Sequence, residues 1–150
     1  MKVNHITLRN FRNYVNLKLE FTQSITIFIG DNAQGKTNIL ESLYYGAMGR
    51  SHRTSTDSEL IRWNNSGGSI EVSFSRLNIE NQLQFKLYQQ EPREINHNGY
   101  KIKPKEVVGL LNVVLFSPED LLLVKGMPNL RRRFLDMELL HQSRAQLLSV

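Results

Sequence analysis

The sequence predicts an α/β fold in which a glycine-rich loop joins a buried strand to a helix, with an antiparallel β-rich block beside it. Three features predict it. Ser24-Ile25-Thr26-Ile27-Phe28-Ile29 is a β-branched and aromatic run ending at Gly30, residues 30–37 read G-x-x-x-x-G-K-[ST], and Asn38 to Met48 carries apolar residues at helical spacing. Downstream, alternating runs separated by clusters of Asn, Ser and Gly read as strands.

Before the loop, Lys2 to Leu8 carries Val3, Ile6 and Leu8, and Val15 to Phe21 alternates apolar and polar residues, so one face of each strand is buried and the other wet. The intervening Asn10-Phe11-Arg12-Asn13-Tyr14 is too short for a crossover helix, which makes the two strands antiparallel neighbours.

The loop itself is Gly30-Asp31-Asn32-Ala33-Gln34-Gly35-Lys36-Thr37, followed by Asn38. Glycines at its ends let backbone N–H groups wrap a phosphate. Lys36 then reaches the β and γ phosphates, and the Thr37 hydroxyl serves Mg2+. The next helix presents Ile39, Leu40, Leu43, Tyr44, Ala47 and Met48 as its apolar stripe and ends at Gly49, with its N-terminal N–H groups and positive dipole end aimed at the phosphates. A glycine turn that merely joins strand to helix is the competing reading, and the flanking strand and helix argue against it.

Residues 49–103 read mostly as a β-rich insertion. Asp57 is placed to cap a short helix through Glu59, Leu60, Ile61 and Trp63, and Asn64-Asn65-Ser66-Gly67-Gly68 reads as a loop. Ile70 to Ser75 and Gln82 to Tyr88 alternate as strands, and Asn98-Gly99 reads as a type I′ hairpin turn. In residues 104–150, Pro104 opens a short helix to about Leu110, Asn112 to Phe116 reads as a buried return strand, and Pro118 and Pro128 open further helical segments. Residues 143–150 read as a helix still in progress, which predicts that the polypeptide continues.

The chain has 150 residues, no cysteine and no apolar leader or run approaching 18 apolar residues, so it reads as an intracellular, cytoplasmic chain without a membrane span. Its net charge of +5 is uneven: residues 1–50 carry six basic and three acidic side chains, residues 51–100 five and six, and residues 101–150 eight and five. Basic ends beside a neutral middle fit a polyanionic partner as well as a nucleotide.

Several clusters have two readings. Val113-Val114-Leu115-Phe116-Ser117-Pro118-Glu119-Asp120 is the nearest match to a magnesium carboxylate motif, but Ser117 and Pro118 move the acids off the strand end, and helix capping is the better reading. Arg131, Arg132 and Arg133 fall in the first turns of a helix, where the dipole disfavours cations unless an anion is near; they are either a solvated face, with Arg132 paired to Asp136, or contacts to DNA phosphate. Arg50 and Arg53 lie on the polar segment after the loop helix and are candidates to reach a phosphate, in cis or across a dimer, against the alternative of a surface loop. His5, His52, His97 and His141 show no ligand spacing, and no serine or cysteine nucleophile is apparent.

Taken together, Gly30 to Asn38, with asparagine inside the loop and after Thr37, resembles the chromosome-maintenance (SMC-type) branch of the ABC ATPases, and Leu8-Arg9-Asn10-Phe11-Arg12-Asn13-Tyr14 is similar to that branch's first hairpin. More specifically, Gly49-Arg50-Ser51-His52-Arg53-Thr54, Asp57 to Trp63, Phe116 to Leu121 and Val124 to Asp136 resemble the RecF family. The resemblance implies an ABC/SMC-type head, this chain being the N-terminal part of lobe I with a β-rich antiparallel subdomain. It implies an ATP-dependent DNA-binding protein of recombinational repair and replication that dimerises around ATP and Mg2+ and helps load the recombinase at gaps, with RecO and RecR as partners. By the same resemblance Arg12 and Asn13 flank the nucleotide, Ser117 to Glu119 lie near the glutamine-loop position, and Arg50 or Arg53 stands at the arginine-finger place. Signature motif, magnesium Asp and catalytic Glu are expected beyond Val150, so this segment alone is expected to hydrolyse no ATP, whereas the dimeric whole is expected to be a slow DNA-stimulated ATPase. A phosphotransferase acting on a small substrate and a non-catalytic interaction module are the competing functions.

Overall fold

The computed structural model describes residues 1–116 and, beyond them, Arg132. The chain divides into two compact units, Met1–Val113 and Val114–Val150, and the elements below belong to the first.

Six strands form one antiparallel sheet in the order β2-β1-β3-β4-β5-β6. β1 (Lys2–Phe11) and β2 (Tyr14–Glu20) form the expected hairpin, with β3 (Gly67–Arg76) on the other side of β1. β4 (Ile79–Tyr88), β5 (Glu94–His97) and β6 (Tyr100–Lys101) follow in succession. Register places apolar residues against one another on a single face: Leu8 pairs with Leu17 and Ile70, Ile6 with Leu19 and Val72, and Phe85 with Ile70 and Ile95. The opposite face carries Thr7, Arg9, Glu71, Ser73, Gln84 and Lys86, so the sheet is packed on one side and wet on the other.

Val3 and Ile6 are three apart, an odd spacing for a strand of period two. β1 accommodates it by a register shift between Val3 and His5, after which Val3 opposite Phe74 and Ile6 opposite Val72 both serve the apolar side. Tight turns close the hairpins. Leu77-Asn78 and Asn98-Gly99 both have positive φ at each central residue, 50° and 62°, and 50° and 83°, as the type I′ geometry requires.

The pair Gly67-Gly68 opens β3, where a loop was expected. The reason is a close crossing of backbones: a Cβ on Gly68 would lie 2.5 Å from the Asn10 carbonyl oxygen and 3.0 Å from that of Arg9. Main chain cannot step aside as a side chain can. Gly68→Ala is therefore expected to destabilise the fold by about 1–3 kcal/mol, read as a lower urea midpoint at unchanged slope.

α1 (Lys36–Met48) ends where expected but begins at Lys36, inside the loop motif, rather than at Asn38, and Gly49 caps it in the left-handed conformation (φ 63°), its N–H donating to Tyr45 O at 2.8 Å. Its buried face differs from the expected stripe. Ile39, Glu41, Ser42, Tyr45, Gly46 and Ala47 are buried, whereas Leu43, Tyr44 and Met48 are half-buried and Leu40 is exposed. Gly46 explains the roll of the helix, because a Cβ there would stand 2.7 Å from Val72 Cγ2; the helix backbone lies directly on β3. Asp57 does not cap the single 3₁₀ turn Asp57–Leu60, which starts from Thr56 without a side-chain cap. It binds instead the Tyr45 hydroxyl (2.9 Å) and the Arg93 guanidinium (2.8 Å). Burial, with Asp57 beside it, pushes the Tyr45 hydroxyl pKa well up.

Two expected strands are absent. Residues 24–29 and 112–116 form no ladder, and Ile25, Ile27, Ile29, Val114 and Phe116 are exposed. A buried parallel strand needs neighbours on both edges, and among the described residues none pairs with either segment. α2 (Pro104–Val107) is also shorter than expected, with Gly109 (φ 93°) following it. The expected helical segments after Pro118 and Pro128, and residues 143–150, lie outside the described residues. No helix among the described residues is long and apolar enough to cross a membrane.

Candidate nucleotide site

The loop predicted to hold phosphate is closed against the β1–β2 turn. Gly35, with φ 96°, precedes α1 and accepts backbone hydrogen bonds from Asn38 (2.8 Å) and Ile39 (3.2 Å). A Cβ on Gly35 would fall within 2.7 Å of the Asn13 amide and the Tyr14 hydroxyl, so glycine is required by both conformation and space. Among the described residues no side chain caps the N-terminus of α1, and no acid lies in its first turn, which leaves donors and dipole available to an anion. Lys36 folds back across the loop, donating to Gly30 O (2.7 Å) and Asp31 O (2.5 Å). Thr37, Asp31, Asn32, Ala33 and Gln34 are exposed, and Ala33 sits at φ 64°.

Asn13 joins turn to loop. Its amide donates to Gln34 O (3.3 Å), and Asn38 donates to Asn13 Oδ1 (2.8 Å). Both asparagines line an open cleft of about 560 Å³, together with Arg12, Arg53, Arg62 and Trp63, a volume in the range of ligand pockets. Trp63 is 88% exposed and presents an open aromatic face to the cleft.

Under this cleft lies Glu41, whose side chain has no exposure to solvent. Arg12 grips it twice, Nε to Oε2 at 3.0 Å and Nη2 to Oε1 at 2.7 Å, and uses Nη1 on Glu59 O at 3.0 Å. Ser51 Oγ donates to Oε1 (2.5 Å), and Arg53 Nη1 lies 3.4 Å from Oε2 and 3.0 Å from Asn38 Oδ1. Burial alone would raise the Glu41 pKa. The hydrogen bonds from Arg12 and Ser51 and the charges of Arg12 and Arg53 outweigh it and hold the carboxyl below its ordinary value.

The structure thus brings together Arg12, Asn13, Asn38, Arg53 and the loop. Arg50 is exposed on the segment after Gly49. Of the three clustered arginines only Arg132 is described, and it is exposed; Arg131, Arg133, Ser117, Glu119 and Asp120 lie outside the described residues. Sequence reading missed Glu41 and gave no role to Arg62 or Trp63. A lone acid inside an apolar helical run was the available sign, since such a residue is either wet or paired.

The family described as AAA domain matches residues 5–132. "DNA replication and repair protein RecF" of Clostridium tetani is 48% identical over 140 residues, covering 93% of this chain and 38% of the relative, and that of Clostridium kluyveri is 49% identical with the same coverage. The chain spans under two fifths of the length of these relatives. A solved structure of the recombination mediator protein RecF with ATP superposes with a TM-score of 0.84 at 36% identity, covering 90% of this chain and 38% of that one. An SMC ATPase structure at 21% identity superposes with a TM-score of 0.72 over 93% of this chain and 99% of that one, which speaks for the fold alone. The fold is accordingly that of a P-loop head of the ABC/SMC type with an antiparallel β subdomain. With the match running from the first hairpin to residue 132, the chain belongs to the AAA domain family and, within it, to RecF.

Proposed function

We propose that this chain forms the phosphate-binding half of an ATP site in an ATP-dependent DNA-binding protein of recombinational repair and replication. The observation that carries the reading is the uncapped N-terminus of α1, with Lys36 at its first position, opening beside an arginine-lined cleft. Backbone N–H groups of residues 30–37 and the Lys36 ammonium hold the phosphates, and Arg12, Asn13 and Asn38 border the nucleotide. The Trp63 ring offers a stacking face to the base. Magnesium fits as a substrate-borne ion: Thr37 is exposed in the first turn of α1, and Mg2+ is commonly held by few protein groups plus phosphate oxygens. ATP bound with magnesium would supply a phosphoanhydride bond whose hydrolysis can time the protein's hold on DNA.

The same reading assigns ATP-dependent homodimerisation, single-stranded or gapped DNA, and RecO and RecR as partners, with a cytoplasmic location and DNA contact at Arg131, Arg132 and Arg133. It is supported by the RecF relatives, among them a structure whose description names ATP and the RecFOR pathway. The domain plan proposed with it is residues 1–48 as strands, loop and helix, 49–103 as a mostly β-rich insertion, and 104–150 as helices with a return strand that forms only where further strands supply its neighbours. Arg50 or Arg53 is proposed as the arginine finger.

ATP turnover by the whole protein, measured with and without gapped DNA, tests the function. Turnover that rises severalfold with DNA and disappears in Thr37→Ala is expected. Turnover that ignores DNA but requires a small acceptor would make the protein a phosphotransferase and overturn the proposal.

A further inference from the structure

We propose that Glu41 is a positioning residue of the nucleotide site, which fixes Arg12 as part of the cleft wall and holds Arg53 ready to be handed to the phosphates. The inference rests on the nucleotide reading above and adds to it a residue that touches no ligand.

The two arginines are held differently. Arg12 is bidentate on the carboxylate and anchored a third time on Glu59 O, and its side chain is 22% exposed. Arg53 makes one long contact to Oε2 at 3.4 Å and one to Asn38 Oδ1 at 3.0 Å, and is 46% exposed. One carboxylate bears one negative charge. Arg12 takes the better geometry, so the guanidinium of Arg53 remains only partly neutralised beside an open cleft, the state from which an arginine transfers readily to a phosphate.

Glu41 also shapes the chain that carries Arg53. Ser51 Oγ, which donates to Glu41, accepts hydrogen bonds from the Arg53 backbone N–H (2.9 Å) and the Thr54 backbone N–H (3.2 Å). The carboxylate therefore controls Arg53 from both ends, its side chain directly and its main chain through Ser51. A second path runs to the loop. Arg53 meets Asn38, Asn38 meets Asn13, and Asn13 reaches the Gln34 carbonyl, so a nucleotide that lifts Arg53 from its resting partners is sensed by the loop backbone.

The test is a double-mutant cycle in the whole protein, with ATP and magnesium titrated by calorimetry and urea stability measured in parallel. Glu41→Gln keeps the volume and one acceptor but removes the charge. It is expected to weaken ATP binding about tenfold in the native background and about threefold in an Arg53→Ala background, the remaining loss passing through Arg12, whereas its stability cost persists in both. Ser51→Ala perturbs the same relay without emptying the buried site, and is expected to weaken ATP about threefold only when Arg53 is present. Equal losses of affinity in both backgrounds, or no loss in Glu41→Gln, would overturn the proposal while leaving the nucleotide site standing. If Lys36→Ala still binds ATP at native affinity, the nucleotide reading itself falls, and this inference with it.

Discussion

Lys36→Ala is expected to lower ATP affinity roughly 100-fold, corresponding to about 2.7 kcal/mol, with little change in folding stability. The Lys36 ammonium donates to two loop carbonyls, Gly30 O and Asp31 O, which lie in a segment of exposed residues. Removing the side chain lets water satisfy both carbonyls, so the fold loses little. The nucleotide loses more, because charge-assisted hydrogen bonds to phosphate are about twice as strong as neutral ones and the loop offers no second cation. Binding must also break the two resting contacts, and that exchange keeps the loss below what a lone ammonium–phosphate pair would suggest. Lys36→Arg is not a rescue. Its planar fork replaces a compact charge in a loop whose curvature is set by Gly35 packed against Asn13 and Tyr14. Calorimetric titration of both variants, alongside urea unfolding, separates the affinity loss from any folding defect.

Glu41→Ala is expected to destabilise the fold by about 3–5 kcal/mol, the usual cost of breaking a buried ion pair from one side. Arg12 accounts for most of it, since among the described residues its largely enclosed guanidinium would keep the Glu59 carbonyl alone as partner. Arg53 adds little, because an exposed arginine returns to water. The sign of the pH dependence follows from the lowered carboxyl pKa. A group whose folded-state pKa is depressed contributes stability that is complete above its unfolded pKa and is lost as the pH falls through the folded value. The urea midpoint of the native protein should therefore drop more steeply than that of Glu41→Gln below about pH 4.3, the ordinary glutamate pKa. Parallel curves for the two proteins would assign the acid sensitivity to other carboxylates.

The elements legible in the sequence were those whose cause is local. Asn98-Gly99 announced its turn because both positions need positive φ, and the bounds of α1 were set by a glycine on each side. What escaped depended on distant partners. Gly67 and Gly68 read as loop residues because nothing local shows that the β1 backbone crosses at Gly68. Glu41 broke an apolar pattern, and its burial follows only from Arg12 in the β1–β2 turn and Ser51 and Arg53 in the stretch after Gly49 converging on it. The apolar runs at 24–29 and 112–116 carry strand propensity, but a ladder needs neighbours, and propensity alone left their isoleucine, valine and phenylalanine side chains in water. The phosphate loop was readable because its chemistry is written in consecutive residues. The cleft wall was not, being assembled from a hairpin turn, a helix and the segment around Trp63.

Calorimetry of ATP with magnesium on the whole, folded protein tests the central claim most directly. Uptake of one nucleotide per chain, abolished or reduced about 100-fold by Lys36→Ala, is the predicted result. An absence of measurable heat or binding at millimolar ATP, in protein shown to be folded, would contradict the account.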